Sequence, residues 1–122
     1  MTITAPPLVC TATLHSLEES LDGAQALCRN FVGRYIEMWP GRFARLSEAL
    51  TRGHFEDAMD AALSLRTSSM MVGAVQLGEL ATDIIRFLES DRTASATRKL
   101  PTLHRCGDLT IHQLAVSYVN VA

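Results

Sequence analysis

Apolar residues recur three and four positions apart along most of the chain, the spacing of one helix face. Ala24, Leu27, Phe31, Tyr35 and Met38 follow it, with Asp22 placed to cap, and predict a helix running to about Trp39. Pro40 is expected to break that helix and to sit in the first turn of the next. Phe43, Leu46, Ala49 and Leu50 make the face of this second segment, which Gly53 closes in the left-handed position past its end. A long helix follows from about Phe55 to about Val72, stopped by Gly73. Leu77, Leu80, Ala81, Ile84, Phe87 and Leu88 then give an amphipathic helix to about Glu89.

The ends read differently. Residues 1–13, with Pro6-Pro7 among threonines, predict an extended arm. Ser16-x-x-Glu19 has capping-box form and predicts a short helix starting near Ser16. Residues 91–107 carry no period and predict a long connection. Asp108 is placed to cap a terminal helix to about residue 119, where the β-branched tail lets a short strand compete. No repeat and no strand-turn-strand signal is present. The pattern predicts one all-α domain over residues 14–122. Its economical form is an antiparallel up-down four-helix bundle with short accessory helices at the ends. Phe31, Leu46, Leu65, Leu80 and Ile84 are the expected core.

Composition adds limits. A chain of 122 residues, 48% apolar, suits one domain with a full core. A net charge of −2 gives no electrostatic reason to expect nucleic acid or an anionic membrane. No apolar run has the length of a membrane span. The first ten residues lack the basic and apolar regions of a secretory signal, so the expected compartment is the cytoplasm. Cys10, Cys28 and Cys106 are scattered and odd in number, as free thiols in a reducing compartment are. His104, Cys106 and His112 match no zinc template, so no metal and no cofactor is expected.

The third helix carries the chemistry. Ala58, Ala61, Ala62, Leu65, Ser68, Ser69 and Val72 gather on one side, small enough for neighbouring helices to approach closely. Met59, Leu63, Arg66, Thr67 and Met70 gather on an adjacent side. The run Ala62-Leu63-Ser64-Leu65-Arg66-Thr67-Ser68-Ser69, then Gly73-Ala74, Leu77 and Leu80, resembles the histidine-containing phosphotransfer (HPt) domains of bacterial phosphorelays. Their signature reads approximately A-H-x-L-K-G-S-S, x-x-x-G-A, L-x-x-L. Phe31, Arg45, Leu46, Ala49, Leu50, Gly53 and Phe55 also fall where that family has similar residues. The resemblance spans about residues 22–90 without a gap.

It implies a two-component signalling role and a receiver domain or histidine-kinase element as partner. The departures set the expected chemistry. Leu63 stands at the family's acceptor histidine, Arg66 at its lysine and Thr67 at its glycine. An imidazole nitrogen can attack phosphorus and a leucine cannot, so phosphotransfer is expected to be lost. His54 lies more than two turns before Leu63, and Ser64 lies about 100° around the helix from it. Met59, Leu63, Arg66, Thr67 and Met70 are then the expected docking residues, with Leu63 exposed. Two other readings stay open. One is an active phosphotransfer protein with an unexpected acceptor. The other is a structural bundle that homodimerises through Met59, Leu63 and Met70.

Overall fold

The computed structural model describes residues 7–120. Among them, the chain forms six α-helices and a closing π-helical turn, and no strand. The helices are α1 (Thr11–Ser20), α2 (Gln25–Arg52), α3 (Phe55–Met71), α4 (Val75–Glu89), α5 (Thr93–Arg98) and α6 (Leu100–Leu114). Ala115–Val119 make the π turn. Helix α3 packs between α2 and α4, and α6 meets both α2 and α4, so four helices surround the core. α1 lies on α2 and α3, and α5 bridges α4 to α2 and α6.

Pro40 does not break the chain into two helices, because α2 runs through it as a single helix of 28 residues. A proline in a helix interior costs about 3 kcal/mol. Val32, Trp39, Leu46 and Leu50 are all buried on one side of α2. Burying one aliphatic side chain contributes about 1.5–3 kcal/mol, so packing on both sides of Pro40 outweighs its missing N–H. The helix starts at Gln25, not at an Asp22 cap. Asp22 and Gly23 are both left-handed, at φ 56° and 73°, and make the turn out of α1. Gly53 ends α2 at φ 72°, as the sequence predicts.

The predicted connection over residues 91–107 is instead α5 and the first half of α6. The buried face of α6 is Leu100, Leu103, Cys106, Gly107, Thr110 and Leu114. Its helical period is carried partly by a thiol, a glycine and a hydroxyl, which a count of large apolar residues passes over. Thr110 is buried without cost because its hydroxyl donates to the Cys106 carbonyl at 2.7 Å. Asp108, expected to cap a terminal helix over 108–119, sits inside α6, and the last residues form the π turn. At the other end, α1 begins at Thr11, so Ser16 lies within it and caps nothing. The predicted arm over 1–13 keeps only residues 7–10 outside a helix, and residues 1–6 lie outside the described residues.

Two close approaches lock these elements. The Trp39 indole occupies a notch at Gly107, where an added Cβ would stand 1.9 Å from a ring carbon. Its Nε1–H donates to Asp108 at 2.9 Å. Phe43 stacks beside Trp39 and against His104, at ring-centre distances of 5.5 and 4.7 Å. At the second approach, the Cys10 N–H donates to the Gly73 carbonyl at 2.7 Å, and a Cβ on Gly73 would meet the Cys10 carbonyl at 2.5 Å. Gly73 is also left-handed, at φ 76°. The core holds Leu46, Leu65 and Ile84 as expected. Phe31 is a correction: it faces solvent, 36% exposed, and Leu80 is only half-buried.

Gly107→Ala should destabilise the fold by about 1–3 kcal/mol or more, because the methyl group must displace Trp39. Gly33→Ala should stabilise it by about 0.5–1 kcal/mol, since a Cβ there meets nothing within 4 Å. Denaturation midpoints of the two variants, opposite in sign, check the packing assigned to α2 and α6.

Candidate functional site

Helix α3 starts after His54, and Glu56 and Asp57 in its first turn complement the positive end of the helix dipole. Ala58, Ala61, Ala62, Leu65, Ser69 and Val72 are buried, so the small face is the core face. Tyr35 and Ser69 share a buried hydrogen bond of 2.7 Å that fixes α3 against α2. Burial pushes the Tyr35 phenol up to about 12, against the opposing effect of its bond to Ser69 and of Arg42. Ser68 accepts from Arg42 and donates to the Ser64 carbonyl at 2.8 Å. α3 is therefore held in one rotation about its axis.

That rotation decides what the other side presents. Successive residues turn about 100° around a helix, which puts Met59, Leu63, Arg66, Thr67 and Met70 in one strip bordering the core face. All five predicted residues are thus brought onto one surface. Their exposure is uneven. Thr67 and Met70 are exposed, the latter at 44%, whereas Met59, Leu63 and Arg66 are half-buried. The full exposure expected for Leu63 is corrected: its side chain packs partly against core residues. Arg66 and Thr67 follow Leu63 one turn on along the same strip. Met70 turns toward α4, where Gly78 makes room. An added Cβ there would come within 2.9 Å of the Met70 Cε.

α1 is anchored at the Gly73 end, ten residues or about 15 Å along the helix from Leu63. His54 is exposed at the opposite end, about 13 Å from Leu63 by the same rise. Neither imidazole nor thiol enters the strip. His15 lies beside Glu18 on α1, and His104 beside Asp108 on α6. Cys106 is buried against Thr110, with its thiol pushed up by burial, and His112 is exposed on α6. The described residues hold no group of three or more His, Cys, Asp or Glu fit for a metal. No described helix is long and apolar enough to cross a membrane.

Ser64 faces an open groove of about 380 Å³ between α2 and α3, lined also by Glu37, Met38, Gly41, Arg42 and Arg45. Sequence reasoning missed this side. Leu27, Phe31 and Met38 are exposed along the outside of α2, at 57%, 36% and 50%. Their spacing of four and seven is legible in the sequence, which places only Phe31 of the three in the core.

Arg66 makes no side-chain hydrogen bond or ion pair among the described residues, and neither does Thr67. The strip therefore offers an apolar patch, one uncommitted guanidinium and one hydroxyl without a base. It can hold a protein surface. It has no group that attacks phosphorus at neutral pH. No protein-family model, no curated protein and no solved structure matches this chain.

Leu65→Ala should cost about 2–5 kcal/mol, as a cavity in a packed core does. Leu63→Ala should cost about 1 kcal/mol, because part of its surface already meets water. Equal midpoints for the two would place Leu63 in the core. Tyr35 adds a pH dependence. Its folded value of about 12 lies above the ordinary phenol value of about 10. Its contribution is therefore complete below about pH 10 and is lost as pH rises toward 12. Thermal melts of Tyr35→Phe across that window should show a shallower loss than wild type. The slope due to Tyr118, also pushed up by burial, should remain.

Proposed function

We propose that this chain is an HPt-like module of two-component signalling that binds a partner without relaying phosphate. On this reading α2, α3, α4 and α6 are the antiparallel up-down bundle of that family, and α1 and α5 are accessory. The partner is a response-regulator receiver domain or a histidine-kinase element, met in the cytoplasm. The observation that carries the reading is the strip itself. The residue aligned with the family's acceptor lies mid-helix, between methionines, half-buried at the edge of the core face of α3.

Three features support it. The signature positions Ala62, Leu65 and Ser69 are buried, as a bundle-facing register requires. Gly73 keeps the sharp turn into α4 that this register needs. Met59, Leu63 and Met70 give an adaptable apolar surface, and methionine suits surfaces that must fit another protein. Loss of the nucleophile removes catalysis and leaves docking, because docking rests on shape and desolvation and not on an attacking atom.

The test pairs binding with chemistry. Receiver domains loaded by a small phosphodonor are titrated with the full chain, and the chain is then assayed for acid-labile phosphohistidine. Binding without phosphohistidine is expected. Leu63→Glu should abolish binding with helix content unchanged, because the carboxylate would have to be desolvated in the interface. Stoichiometric phosphohistidine on any of the four histidines would sink the non-relaying reading. Absence of binding to every receiver and kinase element tried would sink the docking reading.

A further inference from the structure

The outer side of α2 carries a regular seam whose apolar side chains are left exposed, and only its Arg45 end reaches α3, through an exposed ion pair with Asp57 at 4.0 Å. Leu27, Phe31, Arg34, Met38, Gly41 and Arg45 follow one another at spacings of four and three, the a and d rhythm of a coiled coil. Leu27, Phe31 and Met38 expose 57%, 36% and 50% of their surface along it. Gly41 sits in the middle of the 28-residue helix, where an added Cβ would meet nothing within 4 Å. A glycine there weakens the helix and relieves no contact within the protomer. Arg34 and Glu37 are exposed and make no ion pair or side-chain hydrogen bond among the described residues.

We propose that this seam pairs with the same seam of a second copy, α2 against α2, antiparallel about a twofold axis near residue 36. Positions equidistant from the axis then face each other. Phe31 comes opposite the partner's Gly41, a large side chain over an open slot. Arg34 comes opposite the partner's Met38, whose thioether lies along the guanidinium stem. Leu27 meets the aliphatic stem of the partner's Arg45. Glu37 stands one residue past the axis and Arg34 two residues before it, so each Arg34 reaches the partner's Glu37. The twofold makes this charge pair twice. Size and charge are both self-complementary, which a seam built for an unrelated partner need not be. The seam shares no residue with the α3 strip, so pairing leaves the proposed docking residues out of the dimer contact. It also moves homodimerisation from the Met59, Leu63 and Met70 stripe to a different helix.

The test uses the full chain alone and needs no receiver, so its result is independent of the proposed function. Sedimentation across a wide range of protein concentration should show a monomer–dimer equilibrium. Phe31→Glu and Leu27→Glu, both at exposed positions, should give monomers with unchanged circular dichroism. Arg34→Glu and Glu37→Arg should each weaken the dimer about tenfold or more by placing like charges together. The two combined should restore the dimer to near wild-type affinity. A monomer at every concentration overturns the proposal. So does a dimer indifferent to Phe31→Glu and Leu27→Glu, or a double swap no better than its single changes.

Discussion

The bundle depends on the fit of Trp39 into α6. The indole needs a slot, and Gly107 supplies it by having no side chain at a point where a Cβ would overlap the ring. Its N–H needs an acceptor once buried, and Asp108, the next residue, supplies that. Slot and acceptor therefore come from one turn of α6, and α6 can meet α2 in one register only. Phe43 and His104 extend the contact by stacking a turn further on. With α6 seated, α4 packs between it and α3, and α2 meets both α3 and α6. The second fastening, Cys10 on Gly73, works the same way at the end of α3, with backbone in place of an indole.

Helices α3 and α4 were legible because large and small apolar residues alternate there at strict helical spacing and glycine marks their junction. Gly53 was legible for the same reason at the end of α2. Pro40 misled because local backbone chemistry opposes a helix while burial on both sides favours one, and only the packed structure weighs the two. α5 and the start of α6 were illegible because only Leu100 and Leu103 are large apolar residues among their buried positions, the others being the small Ala96, Cys106 and Gly107. Asp108 looked like a cap because a cap and an indole acceptor are the same residue type. Phe31 was assigned inward because a helical wheel gives the spacing of a stripe and not the side on which neighbours lie.

The candidate strip was legible in its membership and not in its exposure. Wheel geometry alone places Met59, Leu63, Arg66, Thr67 and Met70 together. Whether water reaches each one depends on side-chain lean and on Gly78, which belongs to another helix. Leu63 is half-buried against the core, where an apolar side chain suits the site physically. A partner that meets this strip gains apolar contact at Leu63 and must satisfy Arg66, whose guanidinium has no acceptor within the protomer among the described residues. On the proposed reading, recognition therefore combines shape with one charge.

α2 ties these surfaces together. It is the longest helix, and it carries Pro40 and Gly41 side by side at its middle. Together they cost a helix roughly 4 kcal/mol relative to alanine, enough to end one that relied on propensity. α2 is helical because its inner face is buried by α3 and α6, not because its sequence favours the state. Isolated helices are marginal even with good propensity, so α2 depends on the bundle for its central turns. The coupling runs both ways: Tyr35 and Arg42 hold α3 in rotation, and Trp39 and Phe43 hold α6. All four flank the Pro40-Gly41 pair within five residues. The contacts that set the rotation of α3, and with it the side on which Leu63 and Arg66 stand, therefore lie on the turns of α2 whose helical state depends most on the bundle.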